Sequence, residues 1–171
     1  MAKISRPTQF STYFNIDEET YWATGAMDPI LNADTRLFID PLLLGTSKTP
    51  EMRDEATKTL SDHYTGLVRL IKASQVPGDV PWREAARRMT YREIPAICLG
   101  YGAATVHGSG LGSKRGGKLL DTAAEIVRLG LTDTELFTML PLIEEGVGPD
   151  LISDMTTNII VADLARFTTR V

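Results

Sequence analysis

Gly146-Val147-Gly148-Pro149-Asp150-Leu151-Ile152-Ser153-Asp154-Met155-Thr156-Thr157-Asn158-Ile159-Ile160 joins a glycine-broken turn to the start of a helix. The helix is expected to run from about residue 150 to residue 168. Ile152, Met155, Ile159 and Ala162 mark its apolar face, with Ile160, Leu164, Phe167 and Val171 alongside. Asp150, Asp154 and Asn158 recur every four residues, so they stack along another face with roughly 5–6 Å between Cβ atoms. Two carboxylates and an amide oxygen suit a hard cation such as Mg²⁺, which takes oxygen ligands and keeps waters. Glu144, Glu145 and Asp40 are the further acids that would complete such a set if the fold gathers them. The same row has a purely architectural reading. Asp150 near a helix start interacts favourably with the dipole and can cap it, as Ser153 or Asp154 can if the helix begins later.

Working outward from this stretch, helices dominate. Thr49-Pro50-Glu51 is a helix start, a hydroxyl followed by a proline whose missing donor does no harm there. Met52, Ala56, Leu60, Tyr64, Leu67 and Ile71 then form one apolar stripe on a helix spanning about residues 50–74. Pro77-Gly78 stops it. Asp79 can cap a second helix with Pro81 in its first turn; Trp82, Ala85, Ala86 and Met89 form its buried face. A third, over residues 118–129, buries Leu119, Leu120, Ala123, Ile126 and Val127 and ends at Gly130. Thr132 and Glu135 fit a capping box for a fourth helix, which Pro141 should kink or restart. Residues 36–40 read as a short strand that ends at Pro41 or lies at an edge, and residues 93–99, interrupted by Pro95, as a short edge strand or an extended segment. The expected class is mainly α, in the α+β sense: a helical domain with two or three short strands.

Charge is unevenly spread. The net charge is −4, yet between residues 80 and 120 Arg83, Arg87, Arg88, Arg92, Lys114, Arg115 and Lys118 face only Glu84 and Glu93. A basic segment in an acidic chain is a candidate anion-facing surface. Residues 100–117 hold seven of the 14 glycines, a density that leaves backbone amides bare and the chain mobile. Gly112-Ser113-Lys114-Arg115-Gly116-Gly117-Lys118-Leu119 matches GxxxxGK ahead of a helix. Leu119, however, stands where a nucleotide-hydrolysing P-loop needs the Ser or Thr that meets Mg²⁺. A flexible anion-binding loop for nucleic-acid backbone or nucleotide, or a mobile linker or partner loop, fits better. The anion-binding candidates are therefore Arg83, Arg87, Arg88, His107, Lys114, Arg115 and Lys118. His63, one residue from the apolar stripe, reads as a packing residue. Tyr91 and Tyr101 flank the basic region, where aromatic rings can stack on bases; Tyr91 suits the core better.

The 171 residues, 43% of them hydrophobic and 23% charged, are those of an ordinary globular chain, expected as a single domain. That domain, 1–171, would stand alone or as the N-terminal module of a larger protein or assembly. One cysteine, Cys98, leaves no internal disulfide and reads as a buried thiol. No signal-peptide pattern and no membrane span is legible, which points to a cytoplasmic protein without membrane partners.

The segments Leu37-Phe38-Ile39-Asp40-Pro41 and Glu144-Glu145 through Ile160 resemble the N-terminal region of a group of poorly characterised prokaryotic proteins. Some of those carry a C-terminal restriction-endonuclease-like domain. The resemblance implies a role tied to nucleic acid or phage defence. No Asp followed by a Glu-x-Lys strand occurs here, so it implies no nuclease activity for this chain.

Three readings follow. The first is a non-catalytic module that binds nucleic acid or another anion through the basic residues above. The second is an Mg-dependent nuclease or phosphodiesterase with Asp40, Glu145, Asp150 and Asp154 as its catalytic candidates and Asp150, Asp154 and Asn158 as metal ligands. The third is a helical interaction module that pairs with a protein partner or with another copy of itself.

Overall fold

The apolar stripe that begins at Met52 becomes the centre of the molecule. The computed structural model describes residues 6–92, 94–101 and 112–170, and of residues 95, 113, 135, 136 and 141–143 the backbone alone. Seven α-helices are described: α1 (Phe10–Tyr13), α2 (Glu18–Ala23), α3 (Thr57–Ala73), α4 (Val80–Arg88), α5 (Ser113–Arg128), α6 (Thr134–Ile143) and α7 (Pro149–Arg170). α3 packs against α4, α5, α6 and α7. Its residues Leu60, Tyr64, Leu67, Val68 and Ile71 are buried. Leu119, Leu120, Ala123 and Val127 of α5, Phe137 and Leu140 of α6, and Leu151, Met155 and Ile160 of α7 close around them.

The expected long helix starts in a different geometry. Residues Glu51–Ala56 form a π-helical turn that leads directly into α3. α7 lies along this turn. Arg166 Nε reaches Glu55 at 2.8 Å, and Arg170 pairs with Glu51. Arg166 also pairs with Asp163, which is fully buried. α7 bends at Ile160, whose φ of −98° and ψ of 16° leave the helical region.

The α+β expectation is not met: among the described residues no strand forms. Residues 36–40 are irregular and run into a 3₁₀ turn, Pro41–Thr46, capped by the Asp40 carboxylate on Leu42 N–H at 2.9 Å. Residues 94–99 contain a second 3₁₀ turn, Pro95–Ile97, followed by Cys98 in the left-handed region at φ 53°. The two segments do meet, but only through one parallel bridge, Thr35 with Leu99. The reasons are local. Proline supplies no donor to a ladder, and the Ile39 N–H that a neighbouring strand would need is taken by Ser153 Oγ at 3.0 Å.

α5 also begins earlier than expected. It starts at Ser113, so Gly116 and Gly117 lie inside a helix and not in a loop. Gly116 N–H donates to Gly112 carbonyl at 3.0 Å. From Gly116 onward the GxxxxGK residues therefore spend their amides on a helical ladder instead of curving around a phosphate. Residues 102–111 of the expected loop, His107 among them, lie outside the described residues. So does the side chain of Glu135, on which the capping box rests.

Candidate functional site

The polar row on α7 clamps backbone. Asn158 Nδ2 donates to Arg92 carbonyl at 2.6 Å and to Asp154 carbonyl at 2.8 Å. Ser153 Oγ, on a buried side chain, accepts from Ile39 N–H. The first half of α7 thus holds two irregular segments, one before the Pro41 turn and one around residues 92–100. Thr35 joins them to each other by accepting from Gly100 N–H at 3.1 Å and donating to Cys98 carbonyl at 2.8 Å.

Where these segments converge, two carboxylates crowd Gly100. A Cβ on Gly100 would lie 2.7 Å from Asp150 Oδ1 and 2.9 Å from Asp34 Oδ2. Gly100 also has φ +140°, so only glycine fits there. Burial and the neighbouring Asp34 carboxylate raise the Asp150 carboxyl from its ordinary value. The same two causes raise the Cys98 thiol, which disfavours the thiolate and any nucleophilic role. Asp34 was not singled out in the sequence. It lies in a polar loop more than a hundred residues from Asp150, and only the fold brings the two together.

The acids proposed as metal ligands do not assemble into a set. Asp40 caps its 3₁₀ turn. Glu145 is exposed in the turn before α7. Glu144 accepts from Thr122 Oγ1 of α5 at 3.2 Å. Among the described residues no three His, Cys, Asp or Glu side chains gather where they could hold one metal ion.

α4 and α5, which carry the basic residues predicted from the sequence, pack against each other. Gly116 sits at the closest approach: a Cβ there would lie 2.3 Å from the Met89 carbonyl oxygen. This brings the first turn of α5, with Lys114 and Arg115, against the C-terminal end of α4. Gly112 offers α5 no capping side chain, and no acid occupies its first turn. The positive end of the helix dipole, with first-turn amides that no described side chain caps, adds to the two cations, and Lys118 stands one turn further on. Lys114, Arg115 and Lys118 are exposed. Among the described residues no carboxylate pairs with them.

The α4 cations are partly spent. Arg87 makes a two-pronged contact with Glu84, 2.8 Å on each prong, and Arg88 Nε joins the same carboxylate at 2.9 Å. These bonds hold Glu84 down to about 2. Arg83 Nη1 donates to Gly78 carbonyl at 2.7 Å. Arg88 turns inward, with its Nη1 over Gly66 of α3.

That inward charge bears on His63. Burial and the Arg88 guanidinium lower its imidazole to about 4, and its Nε2 shares a 2.9 Å hydrogen bond with Tyr91 hydroxyl. Tyr91 is buried and reaches Met89 Sδ at 3.7 Å. The pair is core, as the sequence suggests. Tyr101 is exposed and packs on Phe38 with ring centroids 4.9 Å apart. No helix among the described residues is long and apolar enough to cross a membrane.

A family model described as a domain of unknown function, DUF8370, matches residues 15–171, so the chain belongs to that family. No curated protein and no solved structure matches it.

Proposed function

We propose that this DUF8370 protein is a non-catalytic module that binds a polyanion, the phosphate backbone of nucleic acid, at the corner where α5 meets α4. One observation carries the reading. The close approach of Gly116 to Met89 sets an uncapped, acid-free helix start bearing Lys114 and Arg115 beside the basic end of α4. Bare amides, a helix dipole and unpaired cations favour the same ligand charge. The resemblance to prokaryotic proteins that carry a nuclease-like domain supports nucleic acid over free nucleotide, and with it a setting in phage defence.

Phosphate contacts position a protein and carry no sequence information. Binding is therefore independent of base sequence and governed by salt. Lys114, Arg115 and Lys118 make the primary contacts, because Arg87 and Arg88 are engaged by Glu84. Three neutralised phosphates give a slope of log affinity against log salt of about −3 on duplex DNA. A fluorescence-anisotropy salt titration on labelled duplexes of two sequences tests this, run with and without Mg²⁺. The expected result is equal affinity for both sequences, that slope, and a loss of about one unit of slope in Arg115→Gln. Absence of binding at low salt, or cleavage of the duplex when Mg²⁺ is added, overturns it.

A further inference from the structure

The N-terminal region is the acidic counterpart of the basic corner. From residue 7 to residue 35 there is no lysine or arginine, while Asp17, Glu18, Glu19, Asp28 and Asp34 all fall there. Asp17 caps α2 by accepting from Thr20 N–H at 3.0 Å, and Glu18 and Glu19 fill the first turn. All three are exposed, and among the described residues no cation pairs with them. Beside them lie aromatic rings that the fold leaves uncovered: Tyr13, Phe14 and Trp22 are 66%, 55% and 73% exposed. Phe14 packs tilted against Phe10 at 4.6 Å and edge-on against Tyr13 at 4.9 Å, so these three rings form one cluster. Aromatic clusters of this kind with a charged rim mark interaction sites more than they mark monomer surface.

We propose that this acidic, aromatic face docks onto the α4–α5 corner of a second copy of the chain. Charge complementarity selects the occupant. Glu18 and Glu19 would meet Lys114, Arg115 and Lys118, which pair with no carboxylate among the described residues. Guanidinium groups stack on aromatic faces, and the lysine stems supply apolar area beneath them. The two faces differ, so the assembly is head-to-tail and closes into a ring or grows as a chain. The docking uses the basic corner but does not require that corner to bind nucleic acid.

Sedimentation velocity of the full chain over a concentration series tests the proposal. At low salt the wild type should associate with rising concentration, and added salt should dissociate it. Glu18→Lys with Glu19→Lys, and separately Lys114→Glu with Arg115→Glu, should each weaken association by about tenfold or more, because like charges then face each other. A one-to-one mixture of the two double variants should recover it, since both junctions are again of opposite charge. Trp22→Ser should weaken association without touching any cation. A wild type that stays monomeric throughout overturns the proposal, as does association indifferent to the reversals or a mixture no better than its components. The acidic-face double variant should keep its full oligonucleotide affinity, so loss of docking and loss of nucleic-acid binding are read separately.

Discussion

Asn158 Nδ2 lies 2.6 Å from the carbonyl oxygen of Arg92, joining positions 66 residues apart in the chain. The contact turns a residue that resembles a metal ligand into a clasp for an irregular segment. Arg92 is exposed, so water can replace the lost partner in part. Asn158→Ala should cost about 1 kcal/mol. Asn158→Asp should cost more, because an ionised carboxylate only accepts and would face a carbonyl. Thermal unfolding reads the order of the two. A metal ligand would show the reverse, with the aspartate variant stabilised by added Mg²⁺.

Two glycines in helices give opposite predictions. At Gly116 a Cβ would strike the backbone oxygen of Met89, which cannot move without displacing α4. Gly116→Ala should destabilise by about 1–3 kcal/mol and loosen the corner, weakening oligonucleotide binding as well. At Gly66 a Cβ would meet only Arg88 Nη1, at 2.7 Å, the end of a flexible side chain. Gly66→Ala should stabilise by up to about 1 kcal/mol through helix propensity. Chemical denaturation of the two variants checks both signs.

His63 makes stability depend on pH. Its folded value is lowered from 6.5 to about 4, so between those values the unfolded chain binds a proton that the fold refuses. The contribution is full above pH 6.5 and declines as pH falls towards 4, by roughly 3 kcal/mol in all. A series of urea midpoints from pH 7.5 to 4.5 should therefore fall, and His63→Phe should flatten that part of the curve.

Asp150 contributes in the other direction. A carboxylate at a helix start is ordinarily favoured by the dipole, yet Asp150 is raised by burial and by Asp34, so repulsion and desolvation win. A folded value above the unfolded one means that stability is lost as pH rises through the carboxylate range. Asp150→Asn should stabilise the fold at neutral pH, by less than about 1 kcal/mol given its partial exposure to solvent, and so raise the thermal midpoint. A cation held between Asp34 and Asp150 would invert the outcome: the wild type would gain from added divalent ion and the variant would not.

The helices were legible because periodicity and caps act locally. The stripe from Met52 to Ile71, the Asp79 cap of α4 and the apolar face of α5 all follow from near neighbours in the sequence. What failed was pairing. Residues 36–40 and 94–99 each have strand-like composition, but a strand needs a partner in register, and a single bridge at Thr35 and Leu99 is all they share. The site divided in the same way. The clustering of Lys114 and Arg115 was visible in the sequence. Their juxtaposition with α4 depends on one glycine against one carbonyl, and the meeting of Asp34 with Asp150 on a chain crossing. Neither leaves a local signal.

The π turn at Glu51–Ala56 sets an angle by counting residues. It winds more chain into a turn than an α-helix does, and with that surplus in place Glu51 and Glu55 pair with the arginines of α7. Removing one residue there would let the turn relax into α geometry and rotate everything before it by about 100°. Both glutamates would swing off α7, and the Pro41–Thr46 turn would leave its seat on the core. Substitution can be absorbed in this segment. A change of length cannot, because the chain here acts as a gear whose tooth number fixes how the first third of the protein meshes with the last helix.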